Sequence, residues 1–427
     1  MSNIKIPYGK EHLSANIPQE RLLSILSGGL DKYDPAISQQ QLVADAMANP
    51  IGSKPLFELA KGKKKVVIIA SDHTRPVPSK LLIPPMLAEI RRGNPNAEIT
   101  ILIATGCHRS TSRDELVAKF GEDIVNSENI VVHDCFDEAN LTELGTLPSG
   151  GSLIINRIAA EADLLISEGF IEPHFFAGYS GGRKSVLPGI ASAKTVYYNH
   201  CAGFISNPNS AYGVLEGNPI HKDMIWAAKK ANLAYILNVV INSAHDVIGA
   251  FAGDCDEAHL QGVKFLESLC MAEPAYADVV ISSNNGYPLD QNIYQAVKGM
   301  ETASLSCNPG GVIIMVAKCE DGCGGNGFYK TFANDIPVSK ILSDIEAVPA
   351  NETIEDQWQS QIFAKILNKC KVIFVSAAED KIVKDLRMTP AKTIEEALSL
   401  AEKLLDNKNA SITVIPEGVS VIIKKKA

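Results

Sequence analysis

The sequence predicts an α/β protein of two domains, each a mainly parallel sheet flanked by helices, with the active site in the cleft between them. Three observations carry that expectation. Short runs of valine, isoleucine and leucine alternate with stretches of helical periodicity, the pattern of strands covered on both faces. A chain of 427 residues has room for more than one core, at roughly 150 residues per domain. Polar clusters punctuated by glycine or proline recur just after the apolar runs, where open parallel sheets bind their ligands.

Taken in order, "KVVIIAS" (65–71) reads as a buried strand that leads through "DHTRPVP" into a helix beginning near Ser79. "EITILIA" (98–104) is a second strand, followed by "TGCHRSTSRDEL", and "ADLLISE" (162–168) is a third. "AYILNVVI" (234–241), "ADVVISS" (277–283), "GGVIIMVA" (310–317) and "KVIFVSA" (371–377) complete the series. The alternation weakens near 140–155 and again at "MAEPAYA" (271–277). These breaks predict a first domain over 1–270 and a second over 275–405. The tail "SITVIPEGVSVIIKKK", within 410–427, reads as a hairpin that rejoins the first domain.

Composition excludes several functions. A net charge of −9 disfavours a nucleic-acid or anionic-membrane surface, since binding phosphate needs a positive footprint. One small basic pocket for an anionic substrate stays open. Nine cysteines at irregular spacing do not form a disulfide framework in a chain this long. The opening "MSNIKIPYGKEHL" has no signal-peptide core, and no apolar run approaches the ~18 residues of a membrane span. A cytoplasmic protein is expected, with neither nucleic acid nor membrane as a partner.

The segment "HFFAGYSGGRKSVLPGIASAKTVYYNH" (174–200) concentrates the chemistry. Gly178, Gly181, Gly182 and Gly189 allow positive φ and close approach of backbone N–H groups to an anion. Arg183 stands where a P-loop needs glycine before its Lys-Ser pair, which disfavours nucleotide hydrolysis. Lys184 suits a point charge on phosphate, a desolvated amine for covalent chemistry, or a plain surface residue. His108, His174 and His200 each follow a strand. They suit a metal site, or one ligand with two acid–base groups. Arg75 and Lys298 offer cations from the two domains that could grip a carboxylate. The bland readings are an ion pair of Arg75 with Asp72 and a solvated helix face for Lys298. "KCEDGCGGNG" (318–327) reads as a flexible glycine-rich loop, because Cys319 and Cys323 lack a second thiolate pair.

Together, "SDHTRPVPS", "ATGCHR", "EGFIEPHFFAGYSGGRKSVLPGIAS", "NGYPLDQNIYQAVKG" and "DQWQSQIFAKIL" resemble the nickel-dependent lactate racemase family, over nearly the whole chain. The resemblance implies nickel and a nickel-pincer nucleotide, pyridinium-3,5-bisthiocarboxylic acid mononucleotide, built by accessory proteins and attached to Lys184 through a thioamide. It implies His200 as the protein ligand to nickel, and His108 with His174 as the acid–base pair. Asp72 and Arg75 would meet cofactor and substrate, while Tyr294, Gln295, Lys298 and Trp358 would line the substrate pocket. Gly181 and Gly182, with Arg183, are expected near the cofactor phosphate. The implied reaction interconverts D- and L-lactate by hydride transfer through pyruvate. The alternatives are a racemase or epimerase of another 2-hydroxy acid, a P-loop-like nucleotide-binding protein, and a noncatalytic carrier of the cofactor.

Overall fold

The computed structural model describes residues 1–424. Two six-stranded sheets organise them. The first runs in the order Val247–Gly253, Leu233–Ile241, Leu164–Phe170, Lys65–Ser71, Glu98–Ala104 and Asn129–Val132, with only the Val247–Gly253 edge antiparallel. The second is parallel throughout, in the order Thr389–Ala391, Lys371–Val375, Cys307–Val316, Ala277–Ser283, Ile412–Ile415 and Leu22–Ile25. The α/β architecture with mainly parallel sheets is as the sequence predicts.

Strand alternation explains why these runs are apolar throughout. In Lys65–Ser71, Val66, Ile68 and Ala70 enter the core on one face, while Val67 and Ile69 enter the core on the other. The first of these cores includes Leu82, Ile83, Met86, Leu87 and Ile90 of the helix Ser79–Gly93, spaced as one face of a 3.6-residue helix. Among the described residues, no helix is long and apolar enough to cross a membrane.

The domain boundary differs from expectation at both ends of the chain. Leu22–Ile25 is an edge strand of the second sheet, and Ile412–Ile415 inserts between it and Ala277–Ser283. The antiparallel pair Ser2–Tyr8 and Glu11–Ile17 lays Ile4, Ile6, Ala15 and Ile17 on the core of that same sheet. The expected tail hairpin does not form. Ile422–Ile423 instead pairs in parallel with Met271–Ala272, and the tail's last three residues, 425–427, lie outside the described residues. The physical reason is that the pairings of Leu22–Ile25, Ile412–Ile415 and Ile422–Ile423 join segments well over a hundred residues apart, which local periodicity does not encode.

Candidate active site

A cavity of about 780 Å³ lies where the loops of the two sheets meet. Asp72, Arg75, His108, His174, Gly181, Gly182, Lys184 and His200 line it, and so do Tyr294, Gln295, Lys298 and Trp358. These twelve candidates from the sequence therefore reach one cleft, whereas Gly178 and Arg183 of the same glycine-rich segment are not among its lining.

Asp72 and His108 stand on turns that leave adjacent parallel strands, Lys65–Ser71 and Glu98–Ala104. His108 Nδ1 lies 2.8 Å from Asp72 Oδ2, and the Thr74 hydroxyl donates to Asp72 Oδ1 at 2.7 Å. Burial pushes the Asp72 carboxyl up, but the His108 ring, the Arg75 guanidinium and the Thr74 hydroxyl together hold it well below the usual carboxylate range. Asp72 thus orients His108 and makes no ion pair with Arg75, whose Nη1 reaches Thr74 Oγ1 at 3.1 Å. Glu168, buried behind this turn, accepts from Ser71 N at 2.9 Å and from Ser79 Oγ at 3.2 Å. It fixes the start of the loop that carries Asp72 and Arg75.

His174 occupies a two-residue strand paired with Gly178–Tyr179. Its Nδ1 accepts from the backbone N–H groups of Ala177 at 3.3 Å and Phe176 at 3.5 Å. Burial, then the charges of Lys184, Lys298 and Arg75, push this imidazole well below its ordinary range. His200 ends the helix Ala193–Asn199. Its ring sits edge-on to Phe176 (centroids 5.0 Å, 82°) and to Trp358 (5.2 Å, 66°). Its Nδ1 is buried without a hydrogen-bond partner.

Lys184 lies in the turn Gly182–Ser185, entered through Gly181 at φ 74° and Gly182 at φ 52°. Its amine is buried, which lowers its affinity for a proton, and Arg183, Arg75 and Lys298 lower it further. The turn is built differently from the expected phosphate cradle. The Gly182 N–H donates to Asn238 Oδ1 at 2.7 Å. A Cβ at Gly181 would meet that oxygen at 2.7 Å, and one at Gly182 would meet the His259 ring at 2.8 Å. Arg183 is fully buried, with Nη2 donating to Ala177 O at 2.8 Å and Nε donating to His221 Nδ1 at 3.1 Å. Two of the donors assigned to a phosphate are therefore committed to holding the turn, and Arg183 does not line the cleft.

The second domain presents its residues from one helix face. Ile293–Ser304 begins at Asn292, whose side chain caps Gln295 N at 2.9 Å, worth about 1 kcal/mol. Spacings of three and four set Tyr294, Gln295 and Lys298 toward the same side. Burial and the nearby Arg75 push Lys298 down to about 7, against opposing pulls from Glu172 and Asp72. The segment read as a flexible loop also contributes, because Asp321, Gly324, Gly325 and Asn326 line the cleft. A Cβ at Gly324 would meet Asn292 at 2.3 Å, so this glycine is needed for close packing. Sequence reasoning missed that segment, together with Thr74 and Glu168. The position of Glu168 at the end of a strand was the one available signal.

Two family models match the chain, the lactate racemase N-terminal domain over 8–213 and the lactate racemase C-terminal domain over 272–423. The chain is 53% identical over 427 residues to the lactate racemase of Thermoanaerobacterium thermosaccharolyticum, covering 100% of both. It is 49% identical to that of Lactiplantibacillus plantarum, over 99% of this chain and 100% of the relative. The structure of the Thermoanaerobacterium lactate racemase apoprotein superposes with a TM-score of 0.94, over 99% of this chain and 100% of that one. A Thermotoga maritima protein at 18% identity shares the fold, with a TM-score of 0.67 over 93% of this chain and 100% of its own.

Fold, cleft and relatives define a two-domain α/β isomerase. The chain belongs to the lactate racemase family.

Proposed function

We propose that the protein interconverts D- and L-lactate. The observation that carries this reading is the convergence in one cleft of an Asp72-oriented His108, a second buried histidine, His174, and two cations, Arg75 and Lys298. The cations suit a small carboxylate, with Arg75 as a planar fork and Lys298 as a point charge. His108 can take the proton of a substrate hydroxyl at Nε2, and the Asp72 carboxylate then stabilises the imidazolium. His174 supplies a second proton-handling group. Phe176 and Trp358, packed edge-on against His200, give that space an apolar wall.

The residues also fit the nickel-pincer nucleotide that the family resemblance implies. Among the described residues, no group of three or more His, Cys, Asp or Glu side chains could hold a metal ion, so a metal here needs donors of its own. A lone imidazole with an unpartnered buried nitrogen, His200, would suit as the protein's ligand to such a metal. The buried, proton-poor amine of Lys184 suits covalent attachment. When bound, such a group supplies an acceptor for hydride from the substrate carbon. Loading requires cofactor-building accessory proteins as partners. The nine cysteines, all unpaired, fit a reducing compartment, and we place the protein in the cytoplasm.

Protein co-expressed with the cofactor-building enzymes is expected to convert each lactate enantiomer to the racemate. Malate and larger 2-hydroxy acids serve as comparators, and turnover of one of these without lactate would overturn the assignment. Asp72→Asn keeps an acceptor for the His108 ring but loses the charge, so kcat is expected to fall about 10²-fold. The intact mass of the loaded protein should not change. Wild-type kcat in this variant would remove Asp72 from the scheme. Lys298 binds carboxylate only when protonated, so kcat/KM is expected to decline as pH rises through about 7. In Lys298→Arg, whose cation does not titrate, that decline should vanish; a persisting decline would assign it to another group.

A further inference from the structure

We propose that the two cleft histidines rest as opposite neutral tautomers, with His108 open to accept a proton at Nε2 and His174 carrying its proton there. The unliganded protein is then set for one hydroxyl orientation. This rests on reading the two histidines as the proton-handling pair.

The donors and acceptors around each ring fix its tautomer. Asp72 accepts on both oxygens, from the Thr74 hydroxyl at 2.7 Å and from the His108 ring at 2.8 Å. A carboxylate has no hydrogen to offer, so the His108 nitrogen facing it must carry one. The His108 lone pair is consequently at Nε2. His174 has the reverse environment. Two backbone N–H groups, those of Phe176 and Ala177, point at its Nδ1, and an amide N–H cannot accept. The lone pair is therefore at Nδ1 and the proton at Nε2. A proton added at Nδ1 would face both amide hydrogens. Lys184, Lys298, Arg75 and His200 are the charged or titratable groups that oppose a cationic His174 ring.

For His174 to accept a proton at Nε2, its ring must leave the two amides so that its one hydrogen moves to Nδ1, without net change in charge. The ring packs against Phe175 (centroids 4.9 Å) and Phe176 (4.5 Å), which hinders that turn. A substrate whose hydroxyl faces His108 can give up its proton without that step, which then falls on the exit side, where the product hydroxyl forms at His174. Steady-state kcat/KM hides this inequality, because the equilibrium constant of a racemisation is one.

Nitrogen NMR on the full-length unloaded protein with ¹⁵N-labelled histidine reads both tautomers directly. His108→Gln and His174→Gln assign the signals by their loss, and contacts from labelled Phe175 and Phe176 assign His174 should that variant not fold. The expected pattern is protonated Nδ1 with bare Nε2 for His108. For His174 it is bare Nδ1 with protonated Nε2, unmoved across neutral pH. A proton on His174 Nδ1, or the same tautomer in both rings, overturns the proposal and leaves the lactate assignment untouched. Failure on lactate would overturn that assignment while the tautomers stayed measurable.

Discussion

Lys184→Ala is expected to fold normally yet carry no covalently held cofactor after co-expression with the cofactor-building enzymes, and to show no racemisation above background. Lys184 and Ser185 both line the cleft from the turn Gly182–Ser185, but the Ser185 hydroxyl donates to Gly182 O at 2.9 Å, and the amine is the stronger nucleophile of the two. Burial and three neighbouring cations lower its affinity for a proton, which favours the neutral amine that attacks an acyl or thioacyl carbon. Its packing contribution is small beside this, because Gly181, Gly182 and Arg183 hold the turn through Asn238, His259 and Ala177. An unchanged circular-dichroism spectrum with the adduct absent from the intact mass would support the assignment. A full adduct in the variant would show that another residue captures the cofactor.

His108→Gln is expected to lower kcat by about 10³-fold, the range for losing a positioned proton acceptor, while keeping the adduct. KM should change little, because the proposed grip on the carboxylate, by Arg75 and Lys298, is left in place. His174→Gln should lower kcat substantially but less, since the amide can still donate a hydrogen bond from a similar position. Turnover near wild-type in His108→Gln would remove it from proton transfer. A greater loss in His174→Gln than in His108→Gln would reverse their ranking.

The sheets were legible because period and position coincide. "KVVIIAS" and "ADVVISS" are apolar on both faces, and both are interior strands with cores on either side. The site was legible for a related reason, since polar residues just after parallel strands converge by geometry alone. Two kinds of information were not. The membership of Leu22–Ile25 and Ile412–Ile415 in one sheet depends on partners nearly the whole chain apart. The commitments of individual donors were equally hidden. Nothing local in "SGGRKS" says that Gly182 N–H goes to Asn238 or that Arg183 turns toward His221 and His259. The glycines there spare space for neighbouring side chains as much as they admit a ligand.

The strand Ile412–Ile415 lies between Ala277–Ser283 and Leu22–Ile25. During synthesis, the earlier half of the protein can finish folding while the other half waits with a gap beside its edge strand Leu22–Ile25. Only when Ile412–Ile415 has left the ribosome can that gap fill. Nascent chains stalled just short of 412 should therefore be protease-resistant in one half and open in the other.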